Sequence, residues 1–448
     1  MRNRSLAGTV AIATALATAA ALALSGCSSD TSGTDFATST PKNLEGTVSF
    51  WHFFSDREAD VIQSVVDDFE KENPGVKVEV HSGQDDEKLR KAIATGSKVD
   101  LGLSYSTDIV GNFCSTGAFR DLNDVIERDG VDLGQFPDIV KSYTEFDGTR
   151  CSMPVLADAY GLYYNKDLLS AAGFSEPPKT LSELETMADA LTTYNDDGSI
   201  KTLGFNPMMG WAENSAAHYG PLAGGEWLND DGTSAVGSSG TWNDLMEWQE
   251  AYVQKIGYDK LNTFTSGLGQ EFSADNPFQK GAVAMNLDGE YRTAFIADQA
   301  PDLNYGTAPM PVLDGKDDLY GAGYITGNIA GISKGSKEPE LAWALLKYLT
   351  TDTDAVVKLA NGLKNVPTTA DALASPDLDL PDQFTTFLDI MNDPNSATTP
   401  PSPLGAGYQQ TFQDFWNTYQ DGSVDDLQAG LDGVDQAIDD QLALVTGP

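Results

Sequence analysis

The chain has 448 residues, 40% of them hydrophobic, enough for two lobes of ordinary domain size, each with its own core. Against 27 basic residues stand 67 acidic ones, a formal charge of −40. Such a field sets aside nucleic acid and anionic lipid as partners and suits a well-solvated exterior.

Arg2 and Arg4 lead an Ala/Leu run that continues to Leu24, a basic then apolar order that reads as a secretory signal. A transmembrane anchor is the alternative. Leu24-Ser25-Gly26-Cys27 ends the run and looks like a bacterial lipobox. Residues 1–26 are then a lipoprotein signal peptide, and the Cys27 thiol carries the lipid. The protein is expected outside the cytoplasm, lipid-anchored to the cell membrane and touching it only through that anchor. Residues 27–43 are Ser/Thr-rich, with few large apolar groups, and read as the lipidated cysteine and a flexible tether.

"LEGTVSFWHFF" alternates Val48 and Phe50 with smaller or polar residues and predicts a strand. A helix follows, with Val61, Ile62, Val65, Val66 and Phe69 at helical spacing and Asn73-Pro74-Gly75 as its stop. "VKVEV" is a second strand, "DEKLRKAIATGS" a helix and "VDLGLS" a third strand. That alternation argues for a parallel α/β sheet. Further on, Gly173 stops a helix, and Thr180 with Glu183 forms a capping box for the next. Pro339 opens "PELAWALLKYLTT" in the first turn of another helix. A Pro-rich connection at 396–407 leads to helical patterns that run to the end. The two "NDDG" turns lack the alternating ligand spacing of a calcium loop. With Cys27 lipidated, Cys114 and Cys151 remain. One disulfide or two separate buried thiols are both open, and an exported setting favours the bridge.

Seven spaced segments resemble the extracellular solute-binding proteins of ABC transporters, in the sugar-binding family that includes maltose-binding protein. They are "FEKENPGVKVEV", "ATGSKVDLGLS", "STGAFRDLNDVI", "MPVLADAYGLYYNKDLLSAAGFSEPPKTLSEL", "KGAVAMNLDGEYRTAF", "YGTAPMPVL" and "GISKGSKEPELAWALLKYLT". They fall in the family's order over about residues 46 to 350. The last hundred residues match more loosely. The resemblance implies a periplasmic-binding-protein-like α/β fold, two lobes joined by hinge strands with the ligand cleft between them. It places residues 44–121 plus 314–365 in lobe I and 122–313 plus 366–448 in lobe II. The crossings are expected near Asp121, Pro309–Leu313 and Asn365–Thr368. It further implies a monomer that closes on a carbohydrate, an oligosaccharide in the first instance, and delivers it to the ABC permease. No cofactor and no resident metal are expected.

Sugar recognition needs aromatic faces for the C–H surfaces of a ring, with carboxylates and amides for its hydroxyls. Loops after strands are where α/β sheets bind ligands. The loop after the first strand offers Phe53, Ser55 and Asp56, with His52 beside them, and the third strand ends in Tyr105 and Ser106. Asp121 matches an acidic family position near the hinge; a helix cap is its other reading. Asp158 falls on the family's sugar-bonding carboxylate, with Asp in place of Glu, and Tyr160 follows it. Trp211, Glu213 and His218 form an aromatic–polar loop without a close family match. Tyr291, flanked by Asp288 and Glu290, takes the position of the family's stacking aromatic, Tyr where maltose-binding protein has Trp. Tyr324 joins from a glycine-rich strand, and Tyr408 matches a late cleft aromatic in loose register. Tyr163 and Tyr164 read as strand packing.

Two rivals stand beside the main reading: the same fold with a polyamine or polyol-like solute, and a cell-surface glycosidase. "GISKG" fits a G-x-S-x-G nucleophile elbow, but that hydrolase order needs a downstream His, and His52, His81 and His218 all lie upstream. Scattered histidines argue against zinc. With 67 acids, chance carboxylate pairs carry no weight for glycosidase chemistry. The expectation is a binding protein, not an enzyme.

Overall fold

The computed structural model describes residues 35–446. Cys27 and the signal expected at 1–26 lie outside them. Nine strands position the site: β1 (Gly46–His52), β2 (Val76–His81), β3 (Leu101–Ser104), β4 (Met153–Asn165), β5 (Ile200–Phe205), β6 (Val283–Gly289), β7 (Tyr305–Ala308), β8 (Ile325–Ile332) and β9 (Val366–Pro367). β1 runs parallel to both β2 and β3, Val48 opposite Val78 and Phe50 opposite Leu101, as strand–helix alternation requires. The crossover helix α1 (Asp56–Glu72) buries Ile62, Val65, Val66 and Phe69 and ends at Asn73. The sheet as a whole is mixed, because β8 enters antiparallel to both β3 and β4.

β4 is the spine. Up to Ala159 it pairs with β8 and β9; from Tyr160 onward it pairs with β6 and β7. β5 extends the second half, parallel to β6. One strand therefore serves two half-sheets and changes partners between Ala159 and Tyr160. A side chain takes up the backbone at the change: the Ala159 amide donates to the Glu290 carboxyl at 2.8 Å. The Glu290 amide donates back to the Ala159 carbonyl at 3.2 Å. No buried amide is orphaned at the handover.

There are two large cores, the first lying mainly on the first half-sheet but also taking in Tyr163 and Tyr305 of the second. The first gathers Val48, Phe50, Ile62, Leu101, Ile329 and Leu345. The second gathers Leu162, Leu184, Trp242, Met285, Phe412 and Trp416. Helix α2 (Leu181–Leu191) lies on the second, with the Thr180 hydroxyl accepting from the Glu183 amide at 3.3 Å. Glu183 reaches back to the Lys179 amide at 2.7 Å, one residue earlier than a capping box has it. Helix α3 (Pro339–Thr351) covers the first core, with Pro339 opening it as expected.

Leu122, Val125, Phe136, Val140 and Tyr143 are buried in the first core. Met310 and Tyr324 pack in the second core and Ile325 in the first. Val366 and Pro367 pair with Ala157 and Leu156, in the first half of β4. Short apolar helices carry no mark of which sheet they will cover.

The tether also ends sooner than composition implied. Phe36 packs on the first core, the Ala37 amide donates to Glu340 at 2.7 Å, and Arg128 donates to the Ala37 carbonyl at 2.8 Å. One ring and two backbone bonds dock a stretch whose polarity read as unstructured. Cys114 and Cys151 are bonded, with Cα atoms 5.4 Å apart, inside the usual range.

Candidate ligand-binding site

A cavity of about 530 Å³ opens beside the point where β4 changes partners. Each core supplies an aromatic wall. Phe53 and Phe54, after β1, lie with ring centroids 4.0 Å apart, and Tyr105, after β3, meets Phe53 edge-on at 5.6 Å. Opposite them, Tyr160 stacks on His218 at 3.9 Å, and Tyr291 stands edge-on to Tyr160 at 6.3 Å. The Tyr291 ring lies across Gly289, where a Cβ would come within 2.2 Å of it. Only glycine permits that approach. Tyr324 completes this wall, its hydroxyl 2.9 Å from that of Thr399.

Four carboxyl groups line the cavity, those of Glu58, Asp108, Asp158 and Glu213. Asp158 sits at the end of the first half of β4. The Asn365 Nδ2 donates to it and, at 2.9 Å, to Glu290; the Asn328 Nδ2 approaches its other oxygen at 3.4 Å. Burial pushes the Asp158 carboxyl up to about 6, against the hydrogen bonds from Glu290 and Asn365. Glu290, buried behind it, is pushed well above the usual carboxylate range by burial first and the Asp158 charge second. The Tyr291 hydroxyl donates to Glu213 at 2.6 Å, and burial raises that carboxyl too. His218 is held at about 4 by burial, so its ring is neutral near pH 7; its Nδ1 faces the Glu213 carbonyl. The Nδ1–H tautomer follows from that contact.

Behind this wall Glu213, Glu271 and Asp288 bring carboxyl oxygens within 4.8 Å of one another, a grouping able to hold a cation. Arg292 already serves there, 2.7 Å from Asp288 and 3.8 Å from Glu271.

Of the residues singled out from sequence, Phe53, Tyr105, Ser106, Asp158, Tyr160, Glu213, His218, Tyr291 and Tyr324 come together at the cavity. Others do not. Ser55 and Asp56 are exposed at the start of α1, where Asp56 takes a positive φ of 47°. Neither lines the cavity. Asp121 is exposed away from the cavity, its side chain accepting from the Asn123 amide at 2.9 Å just before the helix Asn123–Asp129. Trp211 packs on a small cluster around Leu203, Val253 and Leu261. Asp288 and Glu290 are fully buried behind Tyr291, one paired with Arg292 and the other with the Ala159 amide. His52 is buried in the first half with neither ring nitrogen hydrogen-bonded, and burial holds it at about 4. Tyr408 is buried, its hydroxyl donating to the Pro400 carbonyl at 2.7 Å.

Sequence reasoning missed Phe54, Glu58, Asp108, Phe272, Phe295, Thr326, Asn328, Asn365 and Gln409, all of which line the cavity. A lone amide in the apolar run "YITGNIAGI" marked Asn328. Asn365 stood at an expected crossing, and Gln409 gave no signal.

Two α/β cores with an aromatic and carboxyl-lined cavity beside a shared strand define a two-lobed ligand-binding protein. The family model for bacterial extracellular solute-binding proteins matches residues 64–386, and the chain belongs to that family. It is 24% identical to the maltotriose-binding protein of Pyrococcus abyssi over 336 residues, 74% of this chain and 69% of that one. It is 28% identical to the maltodextrin-binding protein MdxE of Bacillus subtilis over 310 residues, 66% and 67% of the two chains. In fold it resembles CpMnBP1 with mannotriose bound (TM-score 0.78, 24% identity, 88% of this chain and 99% of that one). It also resembles maltose-bound MalE3 of T. maritima (TM-score 0.72, 20% identity, 88% and 100%). Among the described residues no helix is long and apolar enough to cross a membrane.

Proposed function

We propose that this chain is the carbohydrate-binding subunit of an ABC importer, closing on an oligosaccharide outside the cell and delivering it to the permease. The observation that carries this is the pairing of two aromatic walls, one from each core, with hydrogen-bonding carboxyls between them. Flat rings suit the C–H faces of a sugar, and carboxyls suit its hydroxyls. The relatives named for maltotriose and maltodextrin support the same class. The lobes divide, in this reading, at Ala159–Tyr160 and Tyr324–Ile325. Ligand touches both walls only when they approach, so it favours the closed form by its differential affinity.

The protein binds as a monomer and does not cleave its sugar. Calorimetry over manno- and malto-oligosaccharides tests the reading, and product analysis of the same mixtures tests for cleavage. Saturable binding with intact sugar is expected; shortened sugar would favour the glycosidase. Lipid on Cys27 holds the protein at the membrane, and mass spectrometry of membrane-extracted protein from the native host reads it directly. An unmodified Cys27 in the mature chain would remove the anchor from the proposal.

A further inference from the structure

We propose that this cavity takes a glycan bearing a basic amine, so that the preferred ligand is a cationic amino sugar and not a neutral one. The inference rests on the carbohydrate reading above and narrows its substrate class.

A sugar hydroxyl both donates and accepts, so a site for neutral sugar needs donors as well as acceptors. Hydroxyls of Tyr105, Ser106 and Ser215 and the Gln409 amide supply donors to this cavity, but in charge it is one-sided. The charged groups on its lining are the carboxyls of Glu58, Asp108, Asp158 and Glu213, without a Lys or Arg side chain. Arg292 is turned to Asp288 and Glu271 behind the wall, and Arg57 stands 3.7 Å from Glu58, which leaves Asp108, Asp158 and Glu213 as the lining carboxyls without an arginine of their own. An independent observation points the same way. Asn328 lines the cavity at 3% exposure, and its Nδ2 is engaged with Asp158, which fixes the amide's orientation. Its Oδ1 then has no hydrogen-bond partner. A buried acceptor left unmet is costly, and a donor brought by the ligand beside the carboxyl would relieve it.

An ammonium is a donor only, with three N–H groups and no lone pair. It fits between acceptors that a hydroxyl satisfies less completely. Its charge also relieves the like charges facing one another, since Glu213 and Glu58 both disfavour ionised Asp158. The tyrosine faces of Tyr160 and Tyr291 accept a cation as readily as a C–H surface. A simple polyamine would meet the charges but leave the aromatic walls without a ring to cover.

The test is calorimetry on the mature protein with matched probes: the β-1,4 glucosamine disaccharide, its N-acetylated form and cellobiose, then maltose and mannobiose beside their 2-amino-2-deoxy counterparts, and spermidine. The amine-bearing member of a pair is expected to bind at least about tenfold tighter at low salt. That advantage should shrink as ionic strength rises from about 0.02 to about 0.5 M, while neutral binding stays flat. Glu213→Gln should reduce the advantage; if that variant does not fold, the salt series on the unaltered protein decides alone. Neutral sugars binding as tightly as their amines would overturn this inference and leave the carbohydrate reading intact. Spermidine binding without any saccharide, or no binding by any saccharide, would overturn both.

Discussion

Tyr291 is the residue on which the site turns. Its ring lies on Gly289 and its hydroxyl on Glu213. Removing such an aromatic costs about 2 kcal/mol or more, roughly thirtyfold in affinity. Tyr291→Ala should therefore weaken binding of the best sugar about thirtyfold in calorimetry with a normal melt. Tyr291→Phe should lose less, since it keeps the face and drops only the bond to Glu213. Binding of Tyr291→Ala within twofold of the parent would remove the stacking role. Asp158 yields a pH prediction. Its folded pKa, about 6, lies above the ordinary carboxyl value of about 4. The folded state thus binds more protons between those values. The stability this contributes is present below about pH 4 and is lost as pH rises through about 6. His218, held at about 4, works oppositely in parent and variant alike: its contribution is present above about 6.5 and lost as pH falls through 4. The melting-temperature difference between Asp158→Asn and the parent should therefore grow in the variant's favour from pH 4 to pH 7. A flat difference would contradict the buried, proton-sharing Asp158–Glu290 pair.

At the scale of elements, strand and helix type were readable and partners were not. The stripe of α1 and the cap at Thr180 rest on spacing and local hydrogen bonds, both written in sequence. The placing of 122–143 on the first core depends on which surface was left open by distant chain. The Cys114–Cys151 bridge ties the helix Ile109–Ser115 to the entry of β4. Its ends are 37 residues apart, and closing such a loop stabilises by about 3 to 4 kcal/mol in the chain-entropy model. The double variant Cys114→Ala/Cys151→Ala should lose about that much in denaturant unfolding. Two free thiols in unreduced, denatured mature protein would reject the bridge.

For the whole molecule, β4 is shared by both half-sheets and floors the site, since Asp158 and Tyr160 flank the change of partners. Ligand that touches both walls should raise stability in proportion to its saturation. At about 100 times Kd the gain is roughly 2.7 kcal/mol, readable as a rise in melting temperature. Small-angle scattering should show a smaller radius of gyration with ligand than without. An unchanged radius at saturation would contradict closure.

The sequence by itself determined the family, the α/β alternation, the alternating strand residues and the aromatic and acidic side chains most apt for sugar. Each of these is a property of neighbours in the chain or of a spaced motif. Tertiary structure alone decided that Asn365 and Asn328 would meet Asp158 from other strands and loops. It also decided that Asp288 and Glu290 would serve the wall from behind while Tyr291 faces the cavity. Those outcomes depend on how β4 is shared between two half-sheets. That sharing is set by long-range pairing and burial, which no local run of residues records.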